Sequence, residues 1–452
     1  MTSPFRPGRL EWGLGIEDTC VYPPTRYAMF TLDEHALTGH DARWRDDLRA
    51  AHDLGATMLR YGAAWPLTNP APGTFDWSVL DERLEFAAGD LGLTVVADLV
   101  HYGAPAWLDA SFADAAYPEA VAAFGGAFAE RYRGLVEHVT PLNEPLTTAS
   151  FSGLRGIWPP ALTGWRGWTE VTVNLADGVA RTAAAVTAAN PSAVVVHVEA
   201  ASHYTPGAPE MVATSDLLGR LGFLPTDLAT GRVTPQHELY GWLVGHGTDE
   251  ARLARLVAAP ARIGLLGVNY YPDLTPRLVT AHGVNGGEAT QVTHNLWTAG
   301  LETALRGFAD RYGLPVLVTE TSIEGDDTQR AAWLRGSVEA VRGLLAAGVD
   351  VRGYTWWPFF DFVDWSYASG GVNVEEFTIP DDVLAARVAA HAAAGPVRKA
   401  PFLRRMGLIG LDEALDGTLT LRPTVAAAQY ASLAGAAPPT NEEGVRDAVE
   451  RR

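Results

Sequence analysis

Short runs of apolar, β-branched residues alternate along this chain with longer segments in which apolar positions recur every three to four residues. The short runs are Trp12–Ile16, Thr57–Gly62, Thr94–Tyr102, Glu137–Glu144, Ala193–Ala200, Ile263–Tyr271, Val316–Thr321 and Val351–Phe359. Their length and composition predict buried strands. Helical periodicity covers Asp41–Leu54, Leu80–Leu91, Tyr117–Tyr132, Trp168–Ala189, Thr298–Tyr312 and Gln329–Ala347. Eight strands joined by crossover helices predict an α/β chain closed into a single (β/α)8 TIM barrel, where reactive side chains gather at the C-terminal ends of the strands. The alternative is a doubly wound open sheet. It calls for a glycine-rich dinucleotide turn, and no G-x-G-x-x-G follows an early strand here.

Two connections are long, roughly 201–262 after the fifth strand and 360–420 after the eighth. Both mix Gly, Pro and charged residues, which predicts loops with short helices rimming a pocket rather than separate domains. Pro423–Leu433 is expected to be the closing helix, so the barrel domain spans 1–435. Residues 436–452 turn to Pro, Thr, Asn, Glu and Arg, the composition of a flexible tail.

Two of the predicted strands deliver a glutamate. The fourth ends in Thr140-Pro-Leu-Asn-Glu144-Pro145 and the seventh in Leu314-Pro-Val-Leu-Val-Thr-Glu320-Thr. Proline cannot donate to a strand ladder, so Pro145 should end the fourth run with Glu144 in the barrel mouth. Either glutamate alone is equally readable as a surface carboxylate. As a pair they are the minimum apparatus for cleaving a glycosidic bond, and strands four and seven face each other at the ~5–5.5 Å spacing of a retaining mechanism.

Composition narrows the remaining choices. With 452 residues, 47% of them hydrophobic, the chain buries a large core. The single cysteine, Cys20, excludes an intrachain disulfide and a thiolate metal cluster. The first seven residues lack the apolar core of a signal peptide and no apolar run approaches membrane length, so we expect a cytoplasmic protein. A formal net charge of −19 repels nucleic acid and anionic membranes. The only lysine, Lys399, lies in a loop-like Arg-Lys-Ala-Pro context, which excludes Schiff-base chemistry from a barrel strand. Glu199, His197 and His203 form a loose acid–imidazole set near the end of strand five, short of the three or four convergent ligands a metal needs. No metal and no cofactor are expected, and the partner is a small-molecule glycoside or oligosaccharide.

Further motifs fall in order around the two glutamates: Met58-Leu-Arg60-Tyr, Leu99-Val-His101-Tyr-Gly-Ala-Pro-Ala-Trp-Leu, Gly267-Val-Asn269-Tyr-Tyr271 and Gly353-Tyr-Thr-Trp-Trp357-Pro-Phe-Phe-Asp361-Phe-Val-Asp364-Trp365. With the two glutamate motifs they resemble, over roughly residues 10–432, family 1 glycoside hydrolases, the β-glucosidase family. The resemblance implies a retaining enzyme on a clan A (β/α)8 barrel, with Glu144 as acid/base and Glu320 as nucleophile. It puts Arg60 in contact with the nucleophile, Tyr271 beside it with Asn269 in support, and His101 and Asn143 on sugar hydroxyls. Trp357 and Trp365 become flat faces for the sugar. In those roles Arg60 would hold the pKa of Glu320 down, while the charge on Glu320 would raise that of Glu144.

The chain also departs from the family. Thr321-Ser322 follows the nucleophile instead of Asn-Gly, and Tyr102-Gly103 stands where Trp-Asp is usual. Asp364 replaces the glutamate that grips the 4- and 6-hydroxyls, and Phe362 an asparagine; Glu17 is the nearest polar residue to a missing first-strand glutamine. These changes fall on the side that reads C3, C4 and C6. The expected function is a retaining β-glycosidase acting on a β-glucoside or related hexoside by double displacement. A transglycosylase, another clan A glycosidase on longer chains, and a catalytically silent carbohydrate-binding barrel are the alternatives.

Overall fold

The computed structural model describes residues 4–27, 29–283, 288–369 and 399–435, together with 385 and 389. Eight parallel strands close on themselves: β1 (Glu11–Ile16), β2 (Met58–Gly62), β3 (Thr94–Asp98), β4 (His138–Thr140), β5 (Val194–Ala200), β6 (Leu265–Asn269), β7 (Val316–Glu320) and β8 (Val351–Trp356), with β8 paired back to β1. Each of the eight expected strands is present. Several ladders are shorter than the apolar runs that foretold them. β4 is the clearest case, because Pro141 has no N–H to give and interrupts pairing directly after Thr140.

The helices follow in the same rhythm: α1 (His40–Asp53), α2 (Ser78–Leu84, prolonged as a π-helical turn to Asp90), α3 (Tyr117–Arg131), α4 (Gly164–Ala189), α5 (Glu250–Ala258), α6 (Trp297–Tyr312), α7 (Asp327–Ala346) and α8 (Val425–Ala434). Local chemistry sets their ends. The Asp326 side chain takes the Gln329 N–H while Gln329 reaches back, a capping box that starts α7. Gly313, at φ 66°, stops α6 in the left-handed conformation that glycine adopts without a Cβ clash.

Strand alternation divides the core in two. Met58, Val96, Val196, Val198, Leu265 and Leu317 fill the barrel interior, and Phe5 joins them edge-on to His138, 4.9 Å between ring centres. The outward-facing set, including Leu59, Val95, Val139, Val195, Leu266 and Val316, packs under the helices. Each such side chain contributes about 1.5–3 kcal/mol by leaving water, so the barrel wall is a rigid mount for whatever its strand ends carry.

The described parts of the two long connections lie at the C-terminal mouth. His203–Pro206 pairs with Pro276–Ala281, which pairs with Thr290–Thr293, giving a small three-stranded sheet beside the mouth. After β8, Phe362–Val363 pairs with Leu403–Arg404, and Gly410–Glu413 forms a hairpin with Leu419–Arg422. The expected tail, 436–452, lies outside the described residues. Among the described residues no helix is long and apolar enough to cross a membrane.

Asp361 ties the return of the β8 connection to the barrel. It is fully buried and accepts from Arg330 Nη1 (3.3 Å), Arg405 Nη1 (2.8 Å) and the backbone N–H groups of Gly407 and Leu411 (both 3.0 Å). Asp361→Ala takes one of two carboxylates from the buried Arg330, which keeps Asp327, and leaves two N–H groups without their acceptor, and should cost about 3–5 kcal/mol of stability in denaturant titration. A loss below about 1 kcal/mol, the scale of an ordinary surface ion pair, would contradict this structural role.

Candidate active site

The polar residues of the mouth come from the strands. Asp98, Asn269 and Glu320 are the last residues of β3, β6 and β7, and Arg60 is the middle residue of β2. Glu144 arrives differently. Beyond Pro141 the chain keeps to the wall through Asn143 N to Val100 O (2.9 Å) and Glu144 N to Val198 O (3.1 Å). Glu144 then bends at φ 44°, and Pro145 opens the short helix Pro145–Ala149. The proline thus turns the chain at the glutamate, as the sequence suggested.

Arg60 is the centre of the arrangement. Its guanidinium is fully buried and meets Glu17 (2.6 Å), Glu320 (2.8 Å) and Asp98 (3.2 Å), with further bonds to Thr319 O (3.1 Å) and Asn143 Oδ1 (3.2 Å). Tyr271 donates its hydroxyl to the second Glu320 oxygen at 2.7 Å. Burial pushes the Glu320 carboxyl up from its ordinary value, and the neighbouring Glu144 adds to the rise. Arg60, His101 and the Tyr271 hydrogen bond pull it back only in part. The expectation that Arg60 holds the Glu320 pKa down is therefore corrected: Arg60 opposes the rise without reversing it.

Glu144 has both oxygens occupied. Asn269 Nδ2 donates to Oε1 at 2.7 Å and the Tyr102 hydroxyl to Oε2 at 2.6 Å. Thr319 donates to Asn269 Oδ1 at 2.6 Å, which orients that amide. His101 pairs through Nδ1 with Asp98 at 3.0 Å and leaves Nε2 toward Asn143. Glu199 accepts from Leu146 N (3.1 Å) and so fastens the turn behind Glu144. His197 binds Thr226 at 2.9 Å instead, and the described residues contain no group of three or more His, Cys, Asp or Glu that could hold a metal.

Glu144 and Glu320 line one cavity with Tyr271, Trp357 and Trp365, all five named by the sequence. Asn143, Asn269 and His101 lie directly behind them. Four of the sugar contacts expected from the sequence do not line the cavity: Asn143 and His101, which lie behind its wall, and Glu17 and Asp364. Glu17 does not line this cavity; it is fully buried against Arg60, and burial pushes its carboxyl well up despite that cation, so it supports Arg60 rather than touching a sugar. Asp364 is likewise absent from the lining: one oxygen accepts from Ser366 N at 2.9 Å and the other faces Arg404 at 3.8 Å.

Five wall residues were not assigned from the sequence: Tyr102, Leu274, Phe362, Arg404 and Met406. Phe362 was noted only as a departure, while Arg404 and Met406 reach the cavity on the returning limb of the β8 connection, and no local motif marks them. Arg404 bonds Glu324 through Nη2 (2.7 Å) and Nε (3.1 Å) and lies over the Phe362 ring. For Tyr102, its place beside His101 in an otherwise matching motif was a usable signal.

Comparison with known proteins agrees with this geometry. A family 42 glycoside hydrolase model, described as beta-galactosidase, matches residues 37–125. Thermostable beta-glucosidase B of Thermobispora bispora is 27% identical over 394 residues, 79% of this chain and 80% of that protein. The bifunctional beta-D-glucosidase/beta-D-fucosidase of Bifidobacterium breve is 24% identical over 417 residues, 76% and 85% respectively. Among solved structures, the family 1 β-glucosidase of Thermotoga maritima superposes with a TM-score of 0.75 at 16% identity, covering 96% of this chain and 98% of that one, a likeness of fold. A closed eight-stranded barrel, one glutamate beyond β4 and another ending β7 in one cavity, and similarity to such enzymes over 76–79% of the chain make this a glycoside hydrolase similar to those of clan A.

Proposed function

We propose that the enzyme is a retaining β-glycosidase that hydrolyses β-linked hexosides by double displacement, with Glu320 as nucleophile and Glu144 as acid/base. The observation that carries this reading is the different treatment of the two carboxylates in one cavity. Glu320 is held by a cation and a phenol, whereas Glu144 is held by neutral donors only. A nucleophile must be ionised to attack, and an adjacent guanidinium favours that form. An acid/base must exchange a proton, which neutral partners permit.

In the first step Glu320 attacks the anomeric carbon while Glu144 protonates the departing oxygen. In the second, water attacks the glycosyl–enzyme ester and gives its proton to Glu144, returning the configuration at the anomeric carbon. Trp357 and Trp365 supply apolar faces for the sugar ring, and the resemblance supports Asn143, behind the cavity wall, as partner of the 2-hydroxyl, a contact that strengthens as positive charge develops. The relatives' names support gluco-, galacto- and fuco-configured hexosides as substrates. The lone, buried Cys20 supports a cytoplasmic setting.

A 2-deoxy-2-fluoro β-glycoside with a good leaving group should inactivate the enzyme with time and leave one sugar mass on the peptide containing Glu320, because fluorine slows release more than attachment. A label on another carboxylate, or an inverted product from the unmodified enzyme, would overturn the assignment.

Because burial raises Glu320, the acidic limb of kcat/KM should lie above the ordinary carboxylate range. Arg60→Lys replaces a guanidinium that touches three carboxylates with a smaller point charge. The ionised form of Glu320 then loses support, so the acidic limb should move to higher pH and activity should fall more at pH 5 than at pH 7. A limb that stays in place would remove Arg60 from this role.

The wall built by the β8 connection combines apolar Phe362 and Met406 with Arg404, which suits a sugar whether or not it carries a 6-hydroxyl. We expect Arg404→Leu to change the ratio of kcat/KM for gluco over fuco aryl glycosides by about tenfold, the scale of one charged hydrogen bond. Asp364→Ala, acting through the backbone turn, should lower both together. The reverse pattern would restore Asp364 as the direct sugar contact.

A further inference from the structure

Tyr102 stands where the family resemblance leads one to expect an indole, and its surroundings fix where its proton points. Arg60 Nη2 donates to Asn143 Oδ1 at 3.2 Å, so the amine side of that amide faces the other way and donates to the Tyr102 oxygen at 3.0 Å. With that lone pair engaged, the phenol hydrogen is directed to Glu144 Oε2 at 2.6 Å. The ring is held edge-on to Trp365 and beside Trp158, 5.3 and 5.0 Å between centres, and is buried. Its backbone lies at φ 68°, a conformation that L residues rarely adopt. The next residue explains how this is held: a Cβ on Gly103 would meet the Cys20 carbonyl oxygen at 1.7 Å, so only glycine lets the two segments touch.

We propose that Tyr102 is the positioning residue of the acid/base, a hydroxyl whose hydrogen bond to Glu144 strengthens as that group gives up its proton. The inference rests on the reading of Glu144 as acid/base. In the first step the bond from the anomeric carbon to the departing oxygen breaks and its electron pair leaves with that oxygen, which takes the Glu144 proton; the new bond is from Glu320. Glu144 ends as a carboxylate, and a hydrogen bond to a carboxylate is shorter and stronger than one to the neutral acid. The stabilisation therefore grows toward the transition state, the condition for it to accelerate the step. In the second step water gives its proton to Glu144 and its oxygen to the anomeric carbon, the ester electrons return to Glu320, and the same hydrogen bond weakens. Tyr102 keeps its own proton throughout.

Removing the hydroxyl takes away a donor that favours ionised Glu144, so the basic limb of activity moves to higher pH. The other charged and titratable groups about the site, Glu320, Glu199, Arg60, Asp98, His101 and Tyr271, remain in place when only this hydroxyl is lost. Tyr102→Phe should shift the basic limb of kcat/KM upward by about one pH unit, the equivalent of a tenfold change in an equilibrium. It should slow cleavage of alkyl glycosides about tenfold, and that of activated dinitrophenyl glycosides far less, since only the former need the proton. Difluorotyrosine at position 102, a stronger donor of nearly the same shape, should move the limb the other way. This second variant guards against a folding defect in the first. Glu144→Gln serves as the reference: if it keeps the basic limb, the acid/base reading itself fails. If it flattens the limb while neither change at Tyr102 moves it, or if Tyr102→Phe lowers all substrates equally, Tyr102 is structural and the inference fails alone.

Discussion

One buried guanidinium organises the mouth of this barrel. Arg60, on β2, bonds to Glu17 just beyond β1, Asp98 at the end of β3, Asn143 beyond β4, and both Thr319 and Glu320 on β7. It cross-links five of the eight strands. A charge with no exposure to water costs several kcal/mol to bury, and it is stable only because carboxylates surround it. Three carboxylates also exceed what one cation can balance. Burial pushes both Glu17 and Glu320 up, and Glu17 is the one withdrawn from the cavity. Burial sets how readily the carboxylate left in the cavity ionises, with Arg60 opposing it.

The barrel was legible in the sequence because its strands are short apolar runs separated by helical periods, a pattern that survives without tertiary information. Ladder ends were less legible. The run Glu137–Glu144 looks continuous as hydrophobicity, yet pairing stops after Thr140 because the next residue is proline. The site was legible where a motif runs through a strand end or just beyond it: Glu144, Glu320, Tyr271, Trp357 and Trp365 meet in one cavity. Arg404 and Met406 had no such mark. They enter from a limb that returns 48 to 50 residues after β8, so only three-dimensional closure brings them to the wall.

Glu17 and Asp364 show the other limit. Each was chosen as a sugar contact because a polar residue stands near the position where the family has one. Polarity at a position does not give direction. Glu17 turns inward to Arg60, and Asp364 is drawn into capping Ser366 N. A shortened acidic side chain competes well for a nearby backbone N–H, as aspartate does at helix N-caps. The family's acceptor at this wall is thus replaced by a guanidinium and two apolar side chains, which recognise sugar hydroxyls as acceptors or not at all.

The acid/base and its neighbour share a further constraint. Glu144 and Tyr102 both sit at positive φ, 44° and 68°, and non-glycine residues held there cost of order 1–3 kcal/mol each. Such bends persist only where surrounding contacts over-determine them. Behind Glu144 these are the proline that opens the following helix and the Glu199 carboxylate on Leu146 N; behind Tyr102 they are Gly103 against Cys20 and the flanking tryptophans. The two bends bring one hydroxyl and one carboxylate to 2.6 Å from separate strand exits. Strain at each exit is therefore the cost of a contact that neither straight strand end could make, and it leaves the acid/base little freedom to move as its proton comes and goes.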